Sequence, residues 1–302
     1  MKKDLVSIIM PTYNRGYIIS MAIDSILNQT YKNFEFIIVD DFSNDDTEKI
    51  VKEYNDKRIK YIKLEKKCGS NYARNLGLKY SNGEYITFQD SDDYSIPSRI
   101  EEELKSLKDE NVDLVFSSFY KTSSKNEEKI QNINKEKIKV EIFPNKKIKN
   151  DEILKVLLYR NVITTQVLFG KKMVFEKEKF DNKITRFQDW DLMIRVASKF
   201  KVFHLDKPLL YMFIQNDSIT KSYKKGYESL ELIYKKYENM FNNEQKCRIL
   251  FRIGTFKMME NMDATSYFKK GLFFYKNFEY IVIYILYRIR LYKFFYKIIK
   301  GA

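Results

Sequence analysis

Histidine occurs once in the 302 residues, at His204, and cysteine twice, at Cys68 and Cys247. A metal site built on two histidines is therefore excluded, and a Ser-His-Asp triad has a single candidate base. Two cysteines so far apart argue against a disulfide-stapled secreted scaffold and for reduced thiols in a cytosolic setting. Glycine (9) and proline (4) are scarce. No Gly-x-x-x-x-Gly-Lys-Ser/Thr loop and no Gly-x-Gly-x-x-Gly fingerprint is present, so P-loop and Rossmann dinucleotide chemistry lose support. No signal-peptide core precedes the first strand-like run. The longest charge-free run of the C-terminal tail, Tyr280 to Tyr287, falls well short of the ~20 apolar residues that span a bilayer.

What the chain has is core and positive charge. Hydrophobic residues make up 44% and charged residues 32%, enough to bury an interior and unlike a disordered chain. Basic residues outnumber acidic ones 55 to 41, a net +14 that favours anionic partners such as nucleotide sugars, acidic lipid surfaces or nucleic acid. No nucleic-acid-binding module is visible, and the basic residues concentrate in the C-terminal tail, so nucleic acid is not expected as a partner.

Strand and helix patterns alternate over the first 120 residues. Leu5–Met10, Phe34–Val39, Ile59–Leu64, Glu84–Phe88 and Val112–Ser118 read as strands. Apolar spacing from about Gly16 to Gln29, around Ile50 and Val51, and from Asn71 to Tyr80 reads as helices, the last ended by Ser81-Asn82-Gly83. Ser43 to Thr47 read as the cap of the second helix. Such alternation predicts right-handed βαβ units and a mostly parallel sheet, with ligands outside the carboxyl ends of the strands. Residues 121–150 read as a polar excursion, and beyond about Ser222 the pattern is helical.

Three strand ends carry polar signatures: Thr12-Tyr13-Asn14, Asp40-Asp41, and Asp90-Ser91-Asp92-Asp93. Carboxylates as crowded as Asp90, Asp92 and Asp93 repel one another, and a hard cation such as Mn²⁺ or Mg²⁺ would cancel that repulsion and bridge to a diphosphate. A solvated turn is the alternative. Asp40 or Asp41 can accept from a nucleobase or ribose, or cap the next helix. Arg74, in Ala73-Arg74-Asn75-Leu76-Gly77, could reach a diphosphate or base, or be an ordinary surface arginine; Gly77 allows close helix–sheet contact. Asp189, beside Trp190 at a helix start, fits a desolvated general base or a carboxylate facing the helix dipole. His204 reads as a packed core histidine. Phe273, Phe274, Tyr275, Phe278, Tyr280 to Tyr287 and Phe294 to Tyr296 interleave with Lys276, Arg288, Arg290, Lys293, Lys297 and Lys300. That mixture suits an interfacial helix on an anionic membrane better than a helix packed only on its own core.

Taken in order, Pro11-Thr12-Tyr13-Asn14, Val39 to Thr47, Ala73 to Gly77, Asp90 to Asp93 and Gln188-Asp189-Trp190-Asp191-Leu192 resemble the family 2 glycosyltransferases over about residues 4–220. The resemblance implies a GT-A-type α/β catalytic domain over 1–221, followed by a helical, basic-aromatic region over 222–302. It implies an inverting enzyme that takes a nucleotide-sugar donor, usually UDP-linked, and uses Mn²⁺ or Mg²⁺. Pro11, Thr12, Tyr13, Asp40, Asp41, Arg74, Asp90 and Ser91 would bind the donor, Asp92 and Asp93 would address the metal, and Asp189 would be the base. The acceptor would be a glycan or a lipid-linked glycan of surface polysaccharide synthesis, at the inner face of the cell membrane with peripheral contact through the C-terminal helices. Two departures stand out. Gln188 replaces the family's usual Glu before the base, and Tyr211-Met212-Phe213-Ile214-Gln215-Asn216 lacks the Tyr-Arg-x-His of many relatives. Gln215 or a water would then substitute near the diphosphate. A nucleotide-sugar-binding or scaffold protein with weak catalysis is the alternative function.

Overall fold

Val6, Ile8, Ile9 and Met10 are all fully buried in β1 (Lys2–Thr12). A strand whose side chains are apolar on both faces must be covered on both, as a central parallel strand is. β2 (Phe34–Asp40) obeys the same rule with Phe36, Ile37, Ile38 and Val39. The computed structural model describes residues 2–122, 140–214, 222–293 and 296. The chain divides into two compact units, Met1–Asn182 with Gln188–Asn216, and Lys183–Phe187 with Asp217–Ala302. The boundary expected at 221/222 falls beside residues 215–221, outside the described residues.

In the first unit, β1 and β2 are followed by β3 (Ile59–Lys63), β4 (Gly83–Phe88), the short β5 (Tyr94–Ser95), β6 (Leu114–Thr122), β7 (Val140–Phe143), β8 (Leu168–Lys171) and β9 (Val202–Phe213). They form one sheet in the order β3-β2-β1-β4-β8-β6-β9-β5, with β7 on β6. Pairing is parallel from β3 to β4 and between β6 and β9; β8 enters antiparallel between β4 and β6. This is the expected α/β architecture of GT-A type, with the sheet mixed beyond β4. Helices α1 (Ile19–Leu27), α2 (Thr47–Glu53), α3 (Ser70–Tyr80), α4 (Arg99–Asp109), α5 (Ile153–Tyr159), α6 (Lys172–Lys177) and α7 (Gln188–Ala197) belong to the same unit. Apolar faces of α1 and α4 close over β1, β2 and β6 through Ile19, Ile23, Ile26, Ile100 and Leu104. α3 lies close on β1 because Gly77 has no side chain: a Cβ there would overlap Ile9 Cγ2. Gly83 differs from its expected role. α3 ends at Tyr80 with Ser81 extended, and Gly83 instead opens β4, where a Cβ would fall 2.6 Å from the Leu5 carbonyl oxygen. Of the polar excursion, residues 121–122 and 140–143 are strand, and 123–139 lie outside the described residues.

The second unit contains α8 (Tyr223–Tyr237), α9 (Asn243–Met259), α10 (Thr265–Phe274) and α11 (Phe278–Arg288). Asn242 and Gln245 form a reciprocal capping box at the start of α9. Cys247, Phe251, Met258, Ala264, Phe268 and Tyr292 make the core here. The aromatic tail is split in two. Tyr280, Ile283, Tyr284 and Tyr287 pack against that core, whereas Phe273 (83% exposed), Phe278 (82%), Ile281, Ile285 and Ile289 face outward. Phe294, Phe295, Lys297 and Lys300 lie outside the described residues. No helix among the described residues is long and apolar enough to cross a membrane.

Candidate active site

Register brings the polar strand ends together. Thr12 lies opposite Asp40, and Ile9 opposite Phe88, with the Gln89 N–H donating to the Ile9 carbonyl (3.0 Å). The chain therefore leaves β1, β2 and β4 on one edge. The loops after β1 and β2 are fastened to each other. Asn14, Arg15 and Gly16 donate their backbone N–H groups to Ser43 Oγ (2.8 Å), Thr47 Oγ1 (2.9 Å) and Asp45 Oδ2 (2.9 Å). Ser43 to Thr47, expected to cap α2, chiefly tie these loops; Asp45 alone also accepts from Thr47 N at the helix start (3.0 Å).

The paired aspartates at the end of β2 have different surroundings. Asp40 is fully buried and accepts from Ser43 N (2.7 Å) and the Tyr61 hydroxyl. Asp41 accepts from Cys68 N (2.6 Å) and Gly69 N (2.9 Å), fixing the loop that opens α3. Pro11 and Thr12 are buried, and Thr12 Oγ1 has no partner among the described residues. The Tyr13 ring is half-buried and carries Lys67 Nζ at 3.5 Å from its centroid.

The crowding at 90–93 is relieved in three ways. Asp90 pairs with Arg74 (2.8 Å) and Asp92 with Arg15 (3.7 Å). Asp93 is buried, its Oδ1 accepting from Phe213 N (3.0 Å) and its Oδ2 from Gln166 Nε2. Burial, reinforced by the Asp92 and Asp90 charges, raises the Asp93 carboxyl well above the carboxylate range. Asp93 therefore faces the protein, with both oxygens engaged, and Ser91 is likewise buried. Asp90 and Asp92 keep about a quarter of their side-chain surface open (27% and 22%). Two carboxylates with hard oxygen donors fit an ion that takes its remaining ligands from substrate phosphates and water. No cluster of three acidic, histidine or cysteine side chains suited to a metal occurs among the described residues. Gln215 lies outside them.

Arg74 is 4% exposed, and its Nε and Nη1 have no partner among the described residues. α3 is held for this by Asn75, which exchanges two hydrogen bonds with the Phe180 backbone (2.9 and 3.1 Å).

Asp189 sits in the first turn of α7. Its Oδ1 accepts from Trp190 N (2.7 Å) and Asn161 Nδ2 (3.2 Å), which leaves Oδ2 without a donor among the described residues. Burial raises its carboxyl to about 6, against the pull of these hydrogen bonds and of the Arg74 charge. Arg74, Asp90 and Asp189 thus act on one another electrostatically. Trp190 also anchors the helix: it is buried, with Nε1 donating to the Leu157 carbonyl (2.5 Å). Asp191 is also structural, accepting from Arg195 at 2.9 Å.

Sequence reasoning did not single out Arg99, Gln166 or Asn161. Arg99 is fully buried under the acidic loop and donates to Gln89 Oε1 (3.1 Å), Ser95 Oγ (2.8 Å), Thr87 Oγ1 (2.6 Å), the Phe88 carbonyl (3.0 Å) and the Gln166 carbonyl. The available signal was Arg99 and Glu103 at i,i+4 on the face that also carries Ile100, Leu104 and Leu107. His204 is the packed core histidine expected. Its Nδ1 accepts from Ile148 N (2.9 Å), so Nε2 carries the proton toward Ser118 Oγ (3.1 Å), and burial lowers it to about 4.

A family model described as Glycosyl transferase family 2 matches residues 7–176. An uncharacterized glycosyltransferase of Methanocaldococcus jannaschii is 34% identical over 83% of this chain and 87% of its own length. An Escherichia coli UDP-Glc:alpha-D-GlcNAc-diphosphoundecaprenol beta-1,3-glucosyltransferase is 42% identical over 38% of this chain and 46% of its own. Several other curated relatives are matched over about half their length. The crystal structure of S. aureus TarS 1–349 in complex with UDP-GlcNAc shares the fold, with a TM-score of 0.58 at 18% identity over 89% of this chain and 71% of that one.

Proposed function

The chain belongs to glycosyl transferase family 2, and from that premise we propose an inverting transfer of a sugar from a UDP-linked donor to a hydroxyl of a lipid-linked glycan. The observation that carries this reading is the electrostatic grouping of Asp189, Arg74 and Asp90, with Asp189 Oδ2 free to take a proton. In the proposed reaction the acceptor hydroxyl oxygen forms a bond to the anomeric carbon as the carbon–phosphate oxygen bond breaks. The hydroxyl proton passes to Asp189 Oδ2, and the nucleoside diphosphate leaves with the electron pair. Arg74, whose Nε and Nη1 have no partner among the described residues, would receive charge on the diphosphate. Pro11, Thr12 and Tyr13 would meet the base once Lys67 yields the ring face, Asp41 would take the nucleoside, and Asp40 would hold the turn beneath it.

Asp90 and Asp92 would hold Mn²⁺ or Mg²⁺, and Asp93, bonded to Gln166 and Phe213, would fix the loop that carries them. The ion would neutralise charge on the leaving diphosphate. The diphosphoundecaprenol-linked substrate named for the E. coli relative supports a lipid-linked acceptor of surface polysaccharide synthesis, worked on at the inner membrane face. The outward apolar side chains of α11 beside Lys276, Arg288 and Arg290 support peripheral contact there.

A screen of nucleotide sugars for hydrolysis, with Mn²⁺ and with EDTA, tests the reading. Release of UDP from one donor, lost with EDTA, is the expected outcome. Binding of UDP without turnover of any donor, even with a lipid-diphosphate glycan supplied, would turn the reading into that of a nucleotide-sugar-binding protein.

A further inference from the structure

Arg186 and Arg252 place two guanidinium groups in one aromatic setting of the helical unit. Arg186 Cζ lies 4.8 Å from the Phe187 ring centroid and 4.9 Å from that of Phe256. Arg252 Cζ lies 4.7 and 5.7 Å from the same two rings. Gly226, inside α8, makes the space: a Cβ there would fall 2.7 Å from Arg186 Nη1 and 2.6 Å from Phe256. Glycine in a helix interior is disfavoured, and what it admits here is a cation.

No carboxylate answers these charges among the described residues. Arg186 Nη1 donates to the Ser222 carbonyl (2.9 Å), and its Nε is buried without a partner. Among the described residues Arg252 has ring contacts and no hydrogen-bond or ion-pair partner. Burial and the Arg186 charge push Arg252 down to about 10, and burial also lowers Arg186. Tyr296 is near enough to act on both arginines, and Tyr223 on Arg186. Two desolvated like charges without a counter-ion are unfavourable, and ring faces offset only part of that. An oxyanion would remove the deficit, and two planar guanidiniums with phenol hydroxyls nearby suit the several oxygens of a phosphate.

We propose that Arg186 and Arg252 form a site in the helical unit for a phosphate or diphosphate group. On the function proposed above, the donor diphosphate is taken up by Arg74, so the group here belongs to a phosphate-linked acceptor. Arg186 stands three residues before Asp189 in the chain.

The test is a titration of the full chain with inorganic pyrophosphate and with geranyl diphosphate, followed by calorimetry with UDP saturating. Pyrophosphate is expected to bind one equivalent beside UDP, and Arg252→Gln to weaken it about tenfold. Geranyl diphosphate binding more tightly assigns the group to a lipid-linked molecule; equal affinities overturn that assignment in favour of a free diphosphate. Equal pyrophosphate affinity in Arg252→Gln, or no binding beside UDP, overturns the site. The fold of the variant is checked by its own melting: without ligand it is expected to melt above the wild type, since one of two unanswered charges is gone. Should UDP not bind, the donor reading fails, and titration without UDP still decides this site.

Discussion

Asp189 has to be charged to accept a proton, yet its surroundings disfavour charge. Its carboxyl is raised from 3.8 to about 6 by burial. Its contribution to stability is therefore full below pH 3.8 and lost as pH rises through 6. Asp189→Asn should accordingly lose transfer by about 10²–10⁴-fold while keeping UDP affinity. It should also be more stable than the wild type at pH 8, by on the order of 1–3 kcal/mol, and not at pH 4. For the wild type, kcat/KM should rise with pH along a limb near 6. Denaturant melts at the two pH values and a pH–rate profile check these; retained transfer in the variant removes Asp189 from the role. Asp189 could be picked out of the sequence because its motif is local. The turn of Asp93 away from its neighbours could not be, since its partners Gln166 and Phe213 come from far along the chain.

At the scale of elements, α4 supports the acidic loop through one side chain. Arg99 joins the end of β4, β5 itself and the segment before β8. Glu103 is its only charged partner among the described residues, at 3.3 Å, and burial raises that carboxyl. Arg99→Met is expected to cost about 3–5 kcal/mol by leaving Glu103 buried and unpaired. Urea unfolding measures this, and a loss under about 1 kcal/mol would show that the network can be replaced by packing. Regular elements were readable along the chain, because periodicity follows directly from side-chain order: α1, α3 and β1 to β4 lie within a few residues of their expected bounds. Caps and junctions were less readable. Ser43 to Thr47 found partners in a neighbouring loop, and Gly83 answers a strand, because those choices depend on what packs nearby.

Across the whole molecule, the net charge of +14 and the tail composition point to an anionic surface. Ile281→Glu with Ile285→Glu, on the outward side of α11, should abolish binding to vesicles containing anionic lipid and leave the melting temperature unchanged. Wild-type binding should weaken with added salt. Vesicle co-sedimentation reads both, and unaltered binding by the double variant would remove α11 from the contact. The order of strands and helices, the five motifs and the family followed from the sequence alone, because they rest on side-chain periodicity and local spacing. Tertiary structure decided which motif residues stay partly open and which are engaged by the protein itself. It separated Asp90 and Asp92 from Asp93, turned Trp190 into an anchor, divided the aromatic tail into inner and outer sides, and brought Arg186 beside Arg252. Burial and pairing are properties of neighbours in space, and a linear order of residues does not specify them.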